Sequence, residues 1–339
     1  MIKQNISGIM VDQTSYFEDV ESIYIPAALR RQPELDITEE AFRPLGYDAQ
    51  RYITLYRSSV QQLAWPARCT LAELSYRVSS LQQSTKKLCV RDLTAANTAL
   101  RDARLILEAG GGTINFVTPK QDFWQLGRIV VSAVHDASFG GEAGHASQQG
   151  HILLIGPCGH QRRDDIVHPV EWSSTRIHRV VRSTLAAEAC SASHSHDRAC
   201  HLRVLVHEML AGWVSPWTSA LERVPLTMLT DCRSLWDLVK KEGSQPVERR
   251  VGLDLADLRE SVDQGHSNLN WTATGHMAAD PLTKAGIDCV HLSGILRENR
   301  YGLHDGKGAV MEVRVTKHTG KQTKIDDSKV VQFDVAGRA

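Results

Sequence analysis

Buried-type positions in the first third of the chain recur at helical spacing in three blocks. These are Tyr52, Leu55, Ser59, Val60 and Leu63, then Leu71, Leu74, Val78 and Leu81, then Leu93, Ala96, Leu100, Ala103 and Leu107. Recurrence at i, i+3 and i+4 marks a helix with one buried face. Thr70-Leu71-Ala72-Glu73 has the form of a capping box for the second block, and Gly110-Gly111-Gly112 closes the third. Residues 50–110 are therefore expected to form a small helical unit, while Ile2 to Pro44 is mixed and poorly patterned.

Beyond Gly112 the pattern changes to strands alternating with helices. Arg128 to His135 is β-branched and apolar, Gly150 to Ile155 is a second apolar run, and Ile166 to Trp172 a third. Pro169 in the third predicts an edge strand or irregular pairing, because proline cannot donate to a ladder. A long helical period follows from Ser183 to about Ala211, then a strand (Leu226 to Thr230), a short helix (Ser234 to Lys240) and a longer helix carried by Val251, Leu255, Leu258 and Val262. A last strand covers Asn268 to Thr272, and a helical turn begins near Met277. Three strands, helix, strand, helix, strand, helix is the element order of an RNase H-like fold, an α/β class with helices flanking a mixed sheet. Residues 289–339 are expected to form a weakly ordered tail, the part past about 300 being charged and rich in Gly and Lys.

Composition adds few constraints. The 39 basic and 39 acidic residues cancel, so any basic surface for a polyanion must be local. Seven dispersed cysteines with no Cys-x-x-Cys pair predict reduced thiols in an intracellular protein rather than a disulfide framework or zinc ribbon. Cys158-Gly159-His160 is too short a cluster to hold a metal and reads as a turn. No stretch approaches the roughly 20 apolar residues of a membrane helix, and the N-terminus lacks a secretory apolar core. A cytoplasmic or nuclear location is the default expectation.

Four acids sit at strand or helix ends in this pattern. Asp136 follows the first strand, Glu188 lies in the first turns of the long helix, Asp231 ends the fourth strand, and Asp280 opens the last helical turn just before Pro281. Carboxylates converging from rigid elements are what two-metal phosphodiester hydrolysis requires, since Mg²⁺ takes oxygen ligands. Each acid alone reads first as a structural turn, N-cap or helix-dipole residue rather than a catalytic one. Their order along the elements is what groups them.

The local sequences around these acids resemble the RNase H region of Ty1/copia retrotransposon polyproteins. Asp136-Ala-Ser-Phe-Gly140 looks like that family's Asp-Ala-Asp/Ser-Trp/Phe block, Gln149-Gly150-His-Ile-Leu-Leu its Ser-Gly-Tyr-Val-Phe strand, and Glu171-Trp172-Ser173-Ser174 its Ser-Trp-x-Ser. Ser183-Thr-Leu-Ala-Ala-Glu188-Ala resembles Ser-Ser/Thr-x-x-Ala-Glu, Asp231-Cys-Arg-Ser stands for Asp-Asn-x-Ala/Ser, and Ala279-Asp280-Pro-Leu-Thr283-Lys284 for Ala-Asp-x-Leu-Thr-Lys. Upstream, Tyr56-Arg57-Ser-Ser-Val60-Gln-Gln-Leu63-Ala64 resembles the segment after the polymerase palm. The polymerase Tyr-x-Asp-Asp motif is absent, and Gly46-Tyr47-Asp48-Ala49-Gln50 is no substitute. The chain departs from the family at Cys232, beside Asp231, and at Glu248 to Asp254, where the family has Lys-His-Ile-Asp.

The resemblance implies an RNase H-like five-stranded mixed sheet flanked by helices (125–288), preceded by a mostly helical remnant of reverse transcriptase (1–115). It implies Mg²⁺-dependent cutting of the RNA strand of RNA–DNA hybrids, with Mn²⁺ as a substitute and no DNA synthesis. Asp136 would bridge two ions, Glu188 and Asp231 would hold the first, and Asp280 would complete the second. The upstream palm and fingers of the same polyprotein are the implied partner. Arg176, Arg179 and Arg182 form a local positive stretch that could follow hybrid phosphates or simply be a solvated loop. His276 could shuttle protons, though a loop histidine is the plainer reading, and Trp172 reads as core. Two rival readings are an inactive retroelement relic serving as a binding or scaffolding module, and another RNase H-like enzyme such as an integrase or exonuclease.

Overall fold

The computed structural model describes residues 1–117, 125–158, 166–213, 216–241, 246 and 248–302. Its N-terminal part holds β1 (Ile2–Asn5), β2 (Gly8–Asp12), single turns α1 (Ala27–Arg30) and α2 (Glu39–Phe42), and the three expected helices α3 (Ala49–Cys69), α4 (Ser75–Gln83) and α5 (Val90–Glu108). The apolar stripes of these helices close one core around Tyr56, Val60, Leu63, Leu93 and Leu100. Asp48 caps α3, accepting from the Arg51 N–H at 3.1 Å, which gives the Gly-Tyr-Asp stretch a helix-start role. The capping box expected at Thr70 does not form. Thr70 ends α3 and its hydroxyl donates to Gln13 Oε1 at 2.8 Å, while a 3₁₀ turn (Ala72–Leu74) leads into α4. The reciprocal cap belongs to α5, where the Cys89 N–H donates to Asp92 at 2.8 Å.

The poorly patterned N-terminus opens with a hairpin, which the expectation of a mostly helical unit lacked. β1 pairs with β2, and β2 pairs with β3 (Thr113–Val117), so the chain start is tied to the residues after α5. Gly8 makes the close pairing possible, since a Cβ there would lie 2.1 Å from the Phe116 carbonyl oxygen. β1 and β2 are exposed or half-buried throughout, so no apolar alternation betrays them in the sequence.

The second part is an RNase H-like α/β fold. β4 (Ile129–Glu142), β5 (Ala146–Pro157) and β6 (His168–Arg176) are antiparallel neighbours, and β7 (Leu226–Thr230) and β8 (Ser267–Trp271) add parallel strands, giving the order β6-β5-β4-β7-β8. β6 is an edge strand with a register shift opposite Pro169, as expected from the proline. Helix α6 (Thr184–Ala211) crosses one face, joined there by α8 (Arg233–Lys240) and α9 (Arg249–Asp263). Ala186, Ala189, Ala192 and Ala199 let α6 lie close to the sheet. Ser183 caps it, accepting from the Ala186 N–H at 3.1 Å, and Gly212 ends it in the left-handed region at φ 73°. A short helix, α7 (Trp217–Arg223), has no counterpart in the sequence reading. It is anchored by fully buried Arg203, whose Nε donates to the Val224 carbonyl at 2.6 Å.

The opposite face of the sheet packs on the N-terminal part. Val134, Ile152, Leu154 and Leu229 share a core with Ala72 and Ile114, and the Trp172 indole donates to the Ala67 carbonyl at 2.7 Å. Trp172 is thus half-buried between the two parts, in keeping with its reading as core. The expected tail from 289 needs correction. α10 (Val290–Ser293) and the turn Gly294–Glu298 bury Leu292, Ile295 and Leu296 in this shared core, Tyr301 after them joins it, and Arg297 pairs with Glu73 at 3.4 Å. The remainder of that tail, 303–339, lies outside the described residues. All seven cysteines are free; Cys158 is in a turn, and Gly159 and His160 lie outside the described residues. Among the described residues no helix is long and apolar enough to cross a membrane.

Candidate metal centre

Strand register explains why the first acid is available. β7 pairs with β4 only from Val131 to Val134, so the two parallel strands part just before Asp136. Asp136 does not follow the end of its strand, as the sequence suggested; β4 runs on to Glu142 and Asp136 pairs with Gly150 of β5. Asp231 is the first residue after β7, and the Trp271 indole fixes its turn by donating to the Asp231 carbonyl at 2.9 Å. The parting strands leave the kind of crevice in which α/β sheets bind ligands. Glu188, five residues after the Ser183 cap, enters it from α6.

The carboxylates of Asp136, Glu188 and Asp231 each offer an oxygen within 4.8 Å of the others. Asp136 and Glu188 are 1% and 3% exposed, so the three negative groups share a space that water screens weakly. Burial first, then the charges of Asp136 and Asp231, push the Glu188 carboxyl well above the ordinary carboxylate range. Burial and Asp136 likewise raise Asp231. Glu188 Oε2 is buried with no hydrogen-bond partner. An orphaned carboxylate oxygen beside two further acids is the donor set of a hard divalent cation such as Mg²⁺, which would satisfy that oxygen and relieve the repulsion.

The fourth acid joins through a lysine. Asp280 opens a 3₁₀ turn (Asp280–Leu282), and Lys284, one turn on, donates to Asp280 Oδ1 at 2.7 Å while its ammonium lies 3.2 Å from Asp136 Oδ2. The Thr283 hydroxyl donates to the same Asp136 oxygen. Burial pushes Asp280 up to about 6 against the pull of Lys284. Burial opposes the Lys284 charge too, but Asp136 and Asp280 outweigh it and its pKa is raised. Gly150 lets this turn approach, since a Cβ there would lie 2.6 Å from Leu282 Cβ and 2.9 Å from Thr283 Cγ2. Thr283, Lys284 and Gly150 are parts of the site that reading the acids alone missed; their signal was present in the Gln-Gly and Asp-Pro-Leu-Thr-Lys blocks.

The three arginines behave differently. Arg176 ends β6 and Arg182 lies in the following loop, both exposed. Arg179 turns back onto the protein, donating to Asp254 of α9 and, through Nη2 at 2.7 Å, to Cys190 Sγ. Its guanidinium, 39% exposed, is held in an ion pair between α6 and α9. His276 is half-buried beside the His291 ring, with centroids 5.2 Å apart.

No family model matches the chain, and no curated protein matches it. Among solved structures it is similar to the N-terminal RNase H domain of a Mycobacterium tuberculosis protein, solved fused to maltose-binding protein. That likeness has 15% identity over 49% of this chain and 99% of that one, with a TM-score of 0.30. It is also similar to the protease-reverse transcriptase of prototype foamy virus, with 11% identity over 53% of this chain and 21% of that one, and a TM-score of 0.28. The RNase H-like assignment rests on the strand order and directions.

Proposed function

We propose that this chain is the C-terminal part of a Ty1/copia-type retrotransposon polyprotein and acts as a ribonuclease H. It would cut the RNA strand of RNA–DNA hybrids endonucleolytically with Mg²⁺, Mn²⁺ substituting, and carry out no DNA synthesis. On this reading residues 1–115 are a remnant of reverse transcriptase that meets the upstream palm and fingers, and 125–288 are the nuclease. The observation that carries the proposal is the buried convergence of Asp136, Glu188 and Asp231, with Glu188 Oε2 left without a partner.

Asp136, Glu188 and Asp231 would hold one Mg²⁺, and Asp136 with Asp280 a second. Bound Mg²⁺ supplies Lewis acidity and a water of lowered pKa. The chain's residues do the rest. Thr283 orients the Asp136 carboxylate, and Lys284 offsets charge between Asp136 and Asp280. Burial and the neighbouring acids favour the protonated form of Glu188, a proton that a bound cation would displace. Arg176 and Arg182 would follow the phosphates, with the hybrid recognised by groove shape and 2′-hydroxyls rather than by sequence.

One observation favours a second reading, an inactive relic retained as a nucleic-acid-binding or scaffolding module. The Lys284 ammonium already bridges Asp136 and Asp280, where a second ion belongs. The two readings separate in a cleavage assay on an RNA–DNA hybrid with each strand labelled in turn. The enzyme cuts RNA in Mg²⁺, spares DNA, stops in EDTA, and loses more than about 100-fold in Asp136→Asn, beyond the usual cost of a residue that only supports a metal ligand. Folded protein that binds the hybrid and cuts nothing in Mg²⁺ or Mn²⁺ is the relic.

A further inference from the structure

Eight residues beyond Glu188, about 12 Å along α6 at 1.5 Å per residue, a second set of metal-ligating side chains faces α9. We propose that His196, Asp197 and Asp257 form a site for a borderline transition-metal ion, Zn²⁺ being the probe, that clips α6 to α9.

One ligand atom from each of the three lies within 4.8 Å of the others. His196 Nδ1 and Asp257 Oδ2 are 3.0 Å apart, slightly inside the roughly 3.4 Å edge between two tetrahedral ligands about 2.1 Å from one ion. The other ring nitrogen is already occupied. His196 Nε2 faces Ser261 Oγ at 3.1 Å, and the Ser267 hydroxyl donates to that same oxygen at 2.9 Å. With an ion bound, Nε2–H would donate to Ser261 Oγ and leave the Nδ1 lone pair for the metal, which is how a metal-bound imidazole is held by its outer partner. His196 is only 5% exposed, so its ring is fixed by packing before any ion arrives.

Space and chemistry agree with this choice. A cavity of about 250 Å³ opens beside the three residues, lined also by Cys200, His201, Glu260 and His266. It has room for an ion and several water ligands at about 30 Å³ each. An imidazole nitrogen with two carboxylates suits Zn²⁺, while all-oxygen sets such as the acid cluster suit Mg²⁺. The two sites therefore select different ions, and the second needs no role in cleavage.

The test is calorimetric titration of the full chain with Zn²⁺ in a large excess of Mg²⁺, for wild type, Asp257→Asn, Asp197→Asn and Asp136→Asn. Asp257 is 60% exposed at its side chain, so that variant keeps the fold. One equivalent of Zn²⁺ is expected. Asp257→Asn and Asp197→Asn should each weaken it by about tenfold or more, and Asp136→Asn should leave it unchanged. Absence of uptake, binding indifferent to Asp257→Asn and Asp197→Asn (the sign of scattered thiols), or binding lost in Asp136→Asn would each overturn the proposal.

Discussion

The acid cluster and the arginine loop were both selected from the sequence by charge and position, and the fold treats them in opposite ways. Asp136, Glu188 and Asp231 stand on, or one residue beyond, strands and a helix. Their Cα positions follow from register, and short side chains then have little freedom to miss one another. Arg176, Arg179 and Arg182 sit at a strand end and on the loop after it, on side chains long enough to choose partners. Arg179 chose Asp254 across the helix layer. Short charged groups on rigid elements are thus readable from sequence, and long ones on loops are set by tertiary neighbours.

The largest predicted effect that sharpens this contrast is at Gly150, which carries no charge. Gly150→Ala drives a methyl into Leu282 and Thr283 and should push the Asp280–Lys284 turn away from Asp136. Overpacking of this kind costs about 1–3 kcal/mol, and activity or Mg²⁺ affinity should fall by about 10–100-fold, as for residues that position ligands. Metal titration and hybrid cleavage read both. An unchanged Mg²⁺ dependence would mean the turn takes no part in the site.

Next comes Lys284→Ala, which removes the cation between Asp136 and Asp280. Asp280 has its folded pKa raised to about 6 from an ordinary carboxylate value, so the folded state binds more protons than the unfolded state in between. Stability is therefore lost as pH rises through about 4 to 6. In EDTA, melting temperature should fall over that window in wild type and more steeply in Lys284→Ala, with Mg²⁺ restoring both at neutral pH. A flat profile in EDTA would contradict the crowding of charge described for the site.

The smallest effect is at Arg179. Its ion pair with Asp254 is partly exposed, and such pairs contribute about 0–1 kcal/mol. Arg179→Ala should lower melting temperature slightly and leave hybrid affinity and its salt dependence unchanged. Arg176→Ala with Arg182→Ala should reduce the salt slope by roughly 1 to 2. If Arg179→Ala alone weakened hybrid binding, the contrast between the two regions would fail.

Much of the fold was legible because several helices carry one buried face and the central strands are apolar runs buried on both faces. The runs at Leu226 to Thr230 and Ser183 to Ala211 fall within a residue of β7 and α6. What escaped the pattern had no such face. β1 and β2 are exposed, the Cys89–Asp92 cap uses a residue seldom found there, and Leu292 to Tyr301 became core only because the N-terminal part covers that side of the sheet. At the candidate site, element order pointed to Asp136, Glu188 and Asp231, which lie close together, and to Asp280, which meets Asp136 through Lys284. Lys284's bridge and the clearance at Gly150 depend on how a turn docks onto a strand pair, which spacing alone does not encode.

The most direct test of the central claim, that Asp136, Glu188 and Asp231 together form one cation site, is Mn²⁺ binding followed by electron paramagnetic resonance at neutral pH. It would compare wild type, Asp136→Asn and Glu188→Gln, each shown to be folded. Bound Mn²⁺ whose affinity drops by more than about tenfold in both variants, and which Mg²⁺ displaces, is the predicted result. Equal Mn²⁺ affinity in all three proteins would contradict it.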